Sequence, residues 1–136
     1  MTAREANVFA CLVEAVVEPA DPLPPLARTD VIAFLDRYLE AAPPLNRAGL
    51  RALLHALEMG PRVRRRGARF RQLPPSQRAK YLERLGRGRA SRAFQALEMV
   101  AKLAYYGDDG VMRSLGYDAD AVVARGRQLR AKELRW

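Results

Sequence analysis

The sequence predicts an all-α domain, and three observations carry that prediction. Leucine, alanine and arginine dominate while isoleucine and threonine are scarce, and unbranched side chains lose little rotamer freedom in a helix. Apolar residues recur at i, i+3, i+4 and i+7 in several stretches separated by proline or glycine. No stretch alternates apolar and polar residues, and no Asn-Gly or Asp-Gly turn joins two β-branched runs. A chain of 136 residues suits one domain. The expectation is five to six helices with short Pro/Gly-punctuated connections. Residues 1–118 form the helical domain, and 119–136 a basic C-terminal helix or arm.

The elements follow in order. Thr2 and Glu5 have the spacing of a capping box, so a helix starts here. Phe9, Leu12, Val13 and Val16 give it one apolar face, and Glu18-Pro19 ends it. Four prolines in 19–27 predict an extended connection. Thr29-Asp30 starts a second helix carrying Val31, Phe34, Leu35, Tyr38 and Leu39, which Pro43-Pro44 stops. Asn46 is the expected cap of a third helix with Leu50, Leu53, Leu54 and Leu57, closed by Gly60-Pro61. Residues 62–72 read as a loop or ragged short helix. Leu73-Pro74-Pro75-Ser76 opens a fourth helix with Tyr81, Leu82 and Leu85, broken by Gly86 and Gly88. Ser91 starts a fifth, with Phe94, Leu97, Val100, Ala101 and Ala104 inward. Asp108 or Asp109 caps a short helix over 110–115. Asp118 or Asp120 caps another over 120–131, weakly amphipathic and containing Gly126.

Charge is unevenly distributed. The formal net charge is +9, yet residues 60–92 hold twelve Lys/Arg against the single acid Glu83. Arg64, Arg65, Arg66, Arg69 and Arg71 surround Phe70, which makes this the candidate basic surface. Such a surface suits nucleic acid or the carboxylates of another protein. No helix-turn-helix, zinc-finger or multi-aromatic signature accompanies it, so nucleic acid is the less favoured partner, and a helical nucleic-acid-binding module using 62–92 is the alternative function. No apolar run approaches the roughly 20 residues that span a bilayer. The N-terminus shows neither a secretory pattern nor twin arginines, so the expected location is cytoplasmic, or periplasmic if the N-terminus has been trimmed.

Candidate chemistry is sparse. His55 is the one histidine and lies among core leucines. Cys11 is the one cysteine, so no intrachain disulfide or cysteine-based zinc site forms, and a small buried hydrophobe is its expected role. Asp108-Asp109 lacks EF-hand spacing and reads as helix capping. Gly107, Gly110 and Gly116 follow no strand and make no dinucleotide fingerprint. No catalytic, cofactor-binding or metal-binding residue is therefore expected on this chain.

The most distinctive stretch runs from Ala104 to Asp118 and holds three of the five tyrosines with three glycines. Aromatics concentrate at interface centres, where they bury much area at little entropic cost. The tyrosines equally suit the closing of a small core. Docking is the reading for Tyr105, Tyr106, Gly107, Leu115, Gly116, Tyr117 and Asp118.

The N-terminal helix with its proline-rich connector, Thr29-Asp30…Phe34-Leu35, Pro43-Pro44-Leu45-Asn46-Arg47, and above all Tyr105-Tyr106-Gly107-Asp108…Val111-Met112…Leu115-Gly116-Tyr117-Asp118 resemble the gluconate 2-dehydrogenase subunit 3 family. The resemblance covers most of residues 3–118. It implies a non-catalytic small subunit that pairs with a large FAD-dependent oxidoreductase of the glucose-methanol-choline type. The large subunit would hold FAD and oxidise hydroxyl groups of sugars, alcohols or sterol-like substrates. The small subunit would serve its folding, stability or export, and a cytochrome subunit is a further partner such a complex leaves room for. Many members begin with a twin-arginine signal, which this chain lacks. The tail beyond Asp118, with Arg125, Arg127, Arg130 and Trp136, has no counterpart in the resemblance.

Overall fold

A computed structural model describes residues 1–63 and 67–133 of the chain. Among them there are seven α-helices and no strand: α1 (Ala3–Val17), α2 (Val31–Ala41), α3 (Pro44–Pro61), α4 (Pro75–Arg87), α5 (Ser91–Tyr106), α6 (Asp109–Ser114) and α7 (Ala119–Glu133). Two 3-10 turns, Leu26–Arg28 and Phe70–Gln72, interrupt the connections. The all-α class read from the sequence is the observed one, with seven helices among the described residues rather than the expected five to six because the short α6 and the tail α7 are both separate helices.

Helix α1 is the hub. It touches α2, α3, α4 and α5 and both 3-10 turns. Its predicted face supplies Phe9, Leu12 and Val13, all fully buried, with Val8 beside them. Leu35, Leu54, Phe70, Ala101 and Tyr105 close around that face. The capping box is present in both directions. The Thr2 N–H donates to Glu5 Oε2 at 2.8 Å, and the Glu5 N–H donates to Thr2 Oγ1 at 3.2 Å. Glu18 ends the helix in the left-handed region (φ 46°).

Several local expectations change. The connector 19–27 is not extended throughout, because the Leu26–Arg28 turn folds back and the Thr29 hydroxyl donates to the Leu26 carbonyl at 2.7 Å. Asp30 flanks α2 but its side chain does not cap it. Helix α3 begins at Pro44, before the expected Asn46 cap. Proline at the first helical position has a preset φ and lacks an N–H that would have no partner there, so no side-chain cap is required. Gly86 does not break α4, which continues to Arg87 and ends at Gly88. Asp108 caps α6 and Asp118 accepts from the Ala121 N–H in the first turn of α7, in each case the first of the two predicted candidates.

Two carboxylates are fully inside. Glu5 and Glu58 are 2% and 1% exposed. Arg51 of α3 forks onto Glu5, Nε to Oε1 at 2.7 Å and Nη2 to Oε2 at 3.3 Å. Arg71 pairs with Glu58 at 3.0 Å and donates its backbone N–H to Oε2 at 3.3 Å. Arg4 approaches the same carboxylate at 4.0 Å. Breaking one side of such a buried pair strands the other charge, which is why these contacts hold α1, α3 and the Phe70 turn in one register.

Burial alone would raise the Glu5 pKa, but the Arg51 fork and the Thr2 donors outweigh it and hold the carboxyl at about 2. A carboxyl whose folded pKa is depressed contributes stability at pH above its unfolded value of 4.5 and loses it as pH falls toward 2. The shift corresponds to about 3 kcal/mol, and screening at the half-exposed Arg51 brings the contribution of Glu5 to on the order of 2 kcal/mol. Urea unfolding across pH 2 to 5 is therefore expected to show a steep rise in stability that flattens in Glu5→Gln. An unchanged slope in that variant assigns the rise to other groups.

Candidate partner interface

Helix α5 delivers the distinctive segment to one end of the domain. Its inward face, Leu97, Ala101, Ala104 and Tyr105, is buried against the core. Its opposite side leaves Met99, Leu103 and Tyr106 exposed at i, i+4 and i+7. The chain then leaves α5, forms the short α6 and enters α7, and the glycines and acids of the segment build these junctions.

Tyr105 corrects the docking expectation. It is fully buried, and its hydroxyl donates to the Pro24 carbonyl at 2.6 Å. The ring fills the core while the oxygen satisfies a carbonyl of the proline connector, so Tyr105 faces its own domain. Burial also pushes its phenol pKa up. Tyr106 meets it edge to face with ring centroids 5.3 Å apart, and remains 41% exposed.

Gly107 also has an internal reason. A Cβ there would stand 2.6 Å from the Leu103 carbonyl oxygen. Only glycine lets the chain leave α5 this closely. Asp108 then uses both carboxylate oxygens. Oδ1 accepts from the Gly110 and Val111 N–H groups at 2.9 and 3.2 Å, capping α6. Oδ2 accepts from the Asp30 N–H at 3.0 Å, 78 residues away at the start of α2. One side chain thus closes two helix beginnings and pins α2 to the α5–α6 corner.

Gly116 ends α6 in the left-handed region (φ 80°). The Gly116 N–H donates to the Arg113 carbonyl and the Tyr117 N–H to the Met112 carbonyl, both at 2.9 Å. That pair of bonds is a Schellman stop, in which glycine carries the left-handed residue at no steric cost. Asp118 immediately caps α7. Four predicted interface positions, Tyr105, Gly107, Gly116 and Asp118, therefore shape the segment. The three that remain, Tyr106, Leu115 and Tyr117, are 41%, 58% and 48% exposed.

The predicted basic surface is divided in a similar way. Arg64, Arg65 and Arg66 lie outside the described residues. Arg69 is half-buried and its backbone N–H is held by Gln72 Oε1 at 2.9 Å. Arg71 is an internal ion-pair partner of Glu58, which corrects its assignment to a free surface. Phe70 is fully buried, with its ring 6.0 Å from that of Tyr81, so it cannot stack on a base. Arg78, which the sequence reading passed over, ties the turn to α1. It reaches the Leu73 carbonyl at 2.9 Å and Glu14 at 3.1 Å.

His55 stands with its side chain half exposed, 3.7 Å from the Glu5 carboxylate at the edge of the Arg51 pair. Cys11 is half-buried, and burial pushes its thiol pKa up, away from the reactive thiolate. Among the described residues no group of three or more His, Cys, Asp and Glu is arranged to hold a metal ion, and no helix is long and apolar enough to cross a membrane. The buried ion pairs were invisible to spacing rules because Glu5 and Arg51 are 46 residues apart; the one local signal was the excess of acids in the first 59 residues. No family model, curated protein or solved structure matches the chain.

The internal roles have thermodynamic consequences. Tyr105→Phe is expected to cost about 1 kcal/mol through the abandoned Pro24 carbonyl, and Tyr105→Ala about 3–5 kcal/mol through the cavity. Denaturant melts measure both. Equal stability of wild type and Tyr105→Ala would remove Tyr105 from the core.

Proposed function

We propose that this chain is a non-catalytic helical subunit that binds and stabilises a larger FAD-dependent alcohol, sugar or sterol dehydrogenase subunit. One observation carries the reading. The segment on which the family resemblance rests is a capped, glycine-stopped corner that holds Tyr106, Leu115 and Tyr117 outward. Large apolar side chains fixed on a rigid corner lose little entropy when covered, which is the property of interface anchors. The flavin and the catalytic groups belong to the partner in this reading. A partner that binds only the folded form of the large subunit raises its stability by mass action.

The test is co-expression of the chain with a large FAD-dependent subunit of the glucose-methanol-choline type. Tyr117→Ala and Leu115→Ala leave the buried corner intact and are each expected to weaken the complex by about 2 kcal/mol, roughly thirtyfold. Yield and flavin content of the large subunit fall accordingly. Full yield and full flavin loading with the doubly substituted chain would falsify this docking assignment.

A further inference from the structure

A second surface lies toward the other end of α5. A cleft of about 90 Å³ opens between α3, α4 and α5. Leu53 of α3, Leu85 of α4, and Phe94 and Leu97 of α5 form its walls, and the small residues Ala56 and Ala93 leave its mouth open. Leu53, Leu85 and Phe94 are only half-buried, so apolar wall surface faces water. Ala93 and Tyr106 are thirteen residues apart on one helix, which is about 20 Å along its axis. The cleft is therefore separate from the Tyr106 corner.

Arginines outnumber acids in the stretch of chain that carries its α4 and α5 walls. Arg84, Arg87, Arg89 and Arg92 alternate in sequence with the lining residues Leu85, Ala90 and Ala93 across the turn from α4 into α5, and all four are exposed. Arg87 pairs with Glu83 at 2.5 Å. Arg84, Arg89 and Arg92 have no ion-pair partner among the described residues.

We infer that this cleft receives a bulky apolar side chain from an acidic segment of a protein partner. The space matches one aliphatic side chain, and apart from Tyr81 the lining residues are aliphatic or phenyl, so an apolar group loses less on entry than a polar one. The guanidinium groups beside the mouth then pair with carboxylates flanking that side chain, a geometry arginine serves with two parallel bonds. A second copy offers no helix with leucines framed by acids, since its exposed apolar helix α7 carries four Lys/Arg against two acids. Nucleic acid would satisfy the arginines but would leave the apolar cleft empty. The inference does not depend on the flavoprotein reading, which uses the other end of α5.

The experiment is fluorescence anisotropy on the full chain with a labelled helical peptide bearing leucines at i, i+3, i+4 and i+7 and glutamates elsewhere. The control peptide has lysine for every glutamate, and a labelled DNA strand tests the nucleic-acid outcome. The glutamate peptide is expected to bind and the lysine peptide not. Ala56→Trp, which fills the mouth from an exposed position, and the double variant Arg89→Glu, Arg92→Glu are each expected to weaken binding by about tenfold or more. Circular dichroism of both variants confirms that the fold is kept. The inference fails if the glutamate peptide does not bind, if the lysine peptide binds equally, or if Ala56→Trp has no effect. DNA binding that the arginine variant abolishes and Ala56→Trp leaves intact would assign the rim to nucleic acid instead.

Discussion

The burial of one face of α1 is the constraint on which the other elements depend. Val8, Phe9, Leu12 and Val13 have almost no solvent exposure, and covering them takes α2, α3, α4 and α5 together. A helix enclosed this far leaves its charged residues few exits. Glu5 sits inside on α1 and Glu58 inside on α3, so each has to be met by a cation from another element. Arg51 and Arg71 meet them. The apolar face supplies the driving force for collapse, and the ion pairs select the register in which collapse is tolerated.

The segment from Ala104 to Asp118 is built on a second division of labour. Tyr105 and Asp108 reach back to Pro24 and Asp30, so the proline connector and the start of α2 are fastened to the end of α5. Gly107 permits the close exit from α5, and Gly116 stops α6 in the left-handed region. Tyr106, Leu115 and Tyr117 are left outward by the same geometry. A motif of this kind carries both a structural requirement and a presented surface, because the residues that shape the corner also aim the residues that stand on it.

The arginines divide along the same line. Arg51, Arg71 and Arg78 neutralise carboxylates or hold carbonyls inside the domain. Arg84, Arg89 and Arg92 are exposed and have no ion-pair partner among the described residues. Net charge therefore describes this protein poorly. The quantity that matters is which guanidinium groups already have an acid, since an unpaired exposed cation is available to a partner and a paired one is not.

Helix positions were legible in the sequence wherever local chemistry decides them. The Thr2–Glu5 box, the apolar stripes of α1, α3 and α5, and the Asp108 and Asp118 caps depend on residues within a turn or two of one another. Local rules failed where two chemistries competed for one boundary. At α3 a first-turn proline made the Asn46 cap unnecessary, and in α4 one glycine was not enough to end a helix held by Tyr81 and Leu82 on the core. Residues close together in the chain dictated the all-α class, most helix boundaries and the unusual composition of the Ala104–Asp118 segment. Tertiary structure alone decided that Tyr105 turns inward while Tyr106 and Tyr117 turn outward, that Arg71 is buttress and Arg89 is surface, and that α3, α4 and α5 leave a cleft between them. The physical reason is that exposure and pairing are set by residues tens of positions away in the chain, and no spacing rule reaches that far.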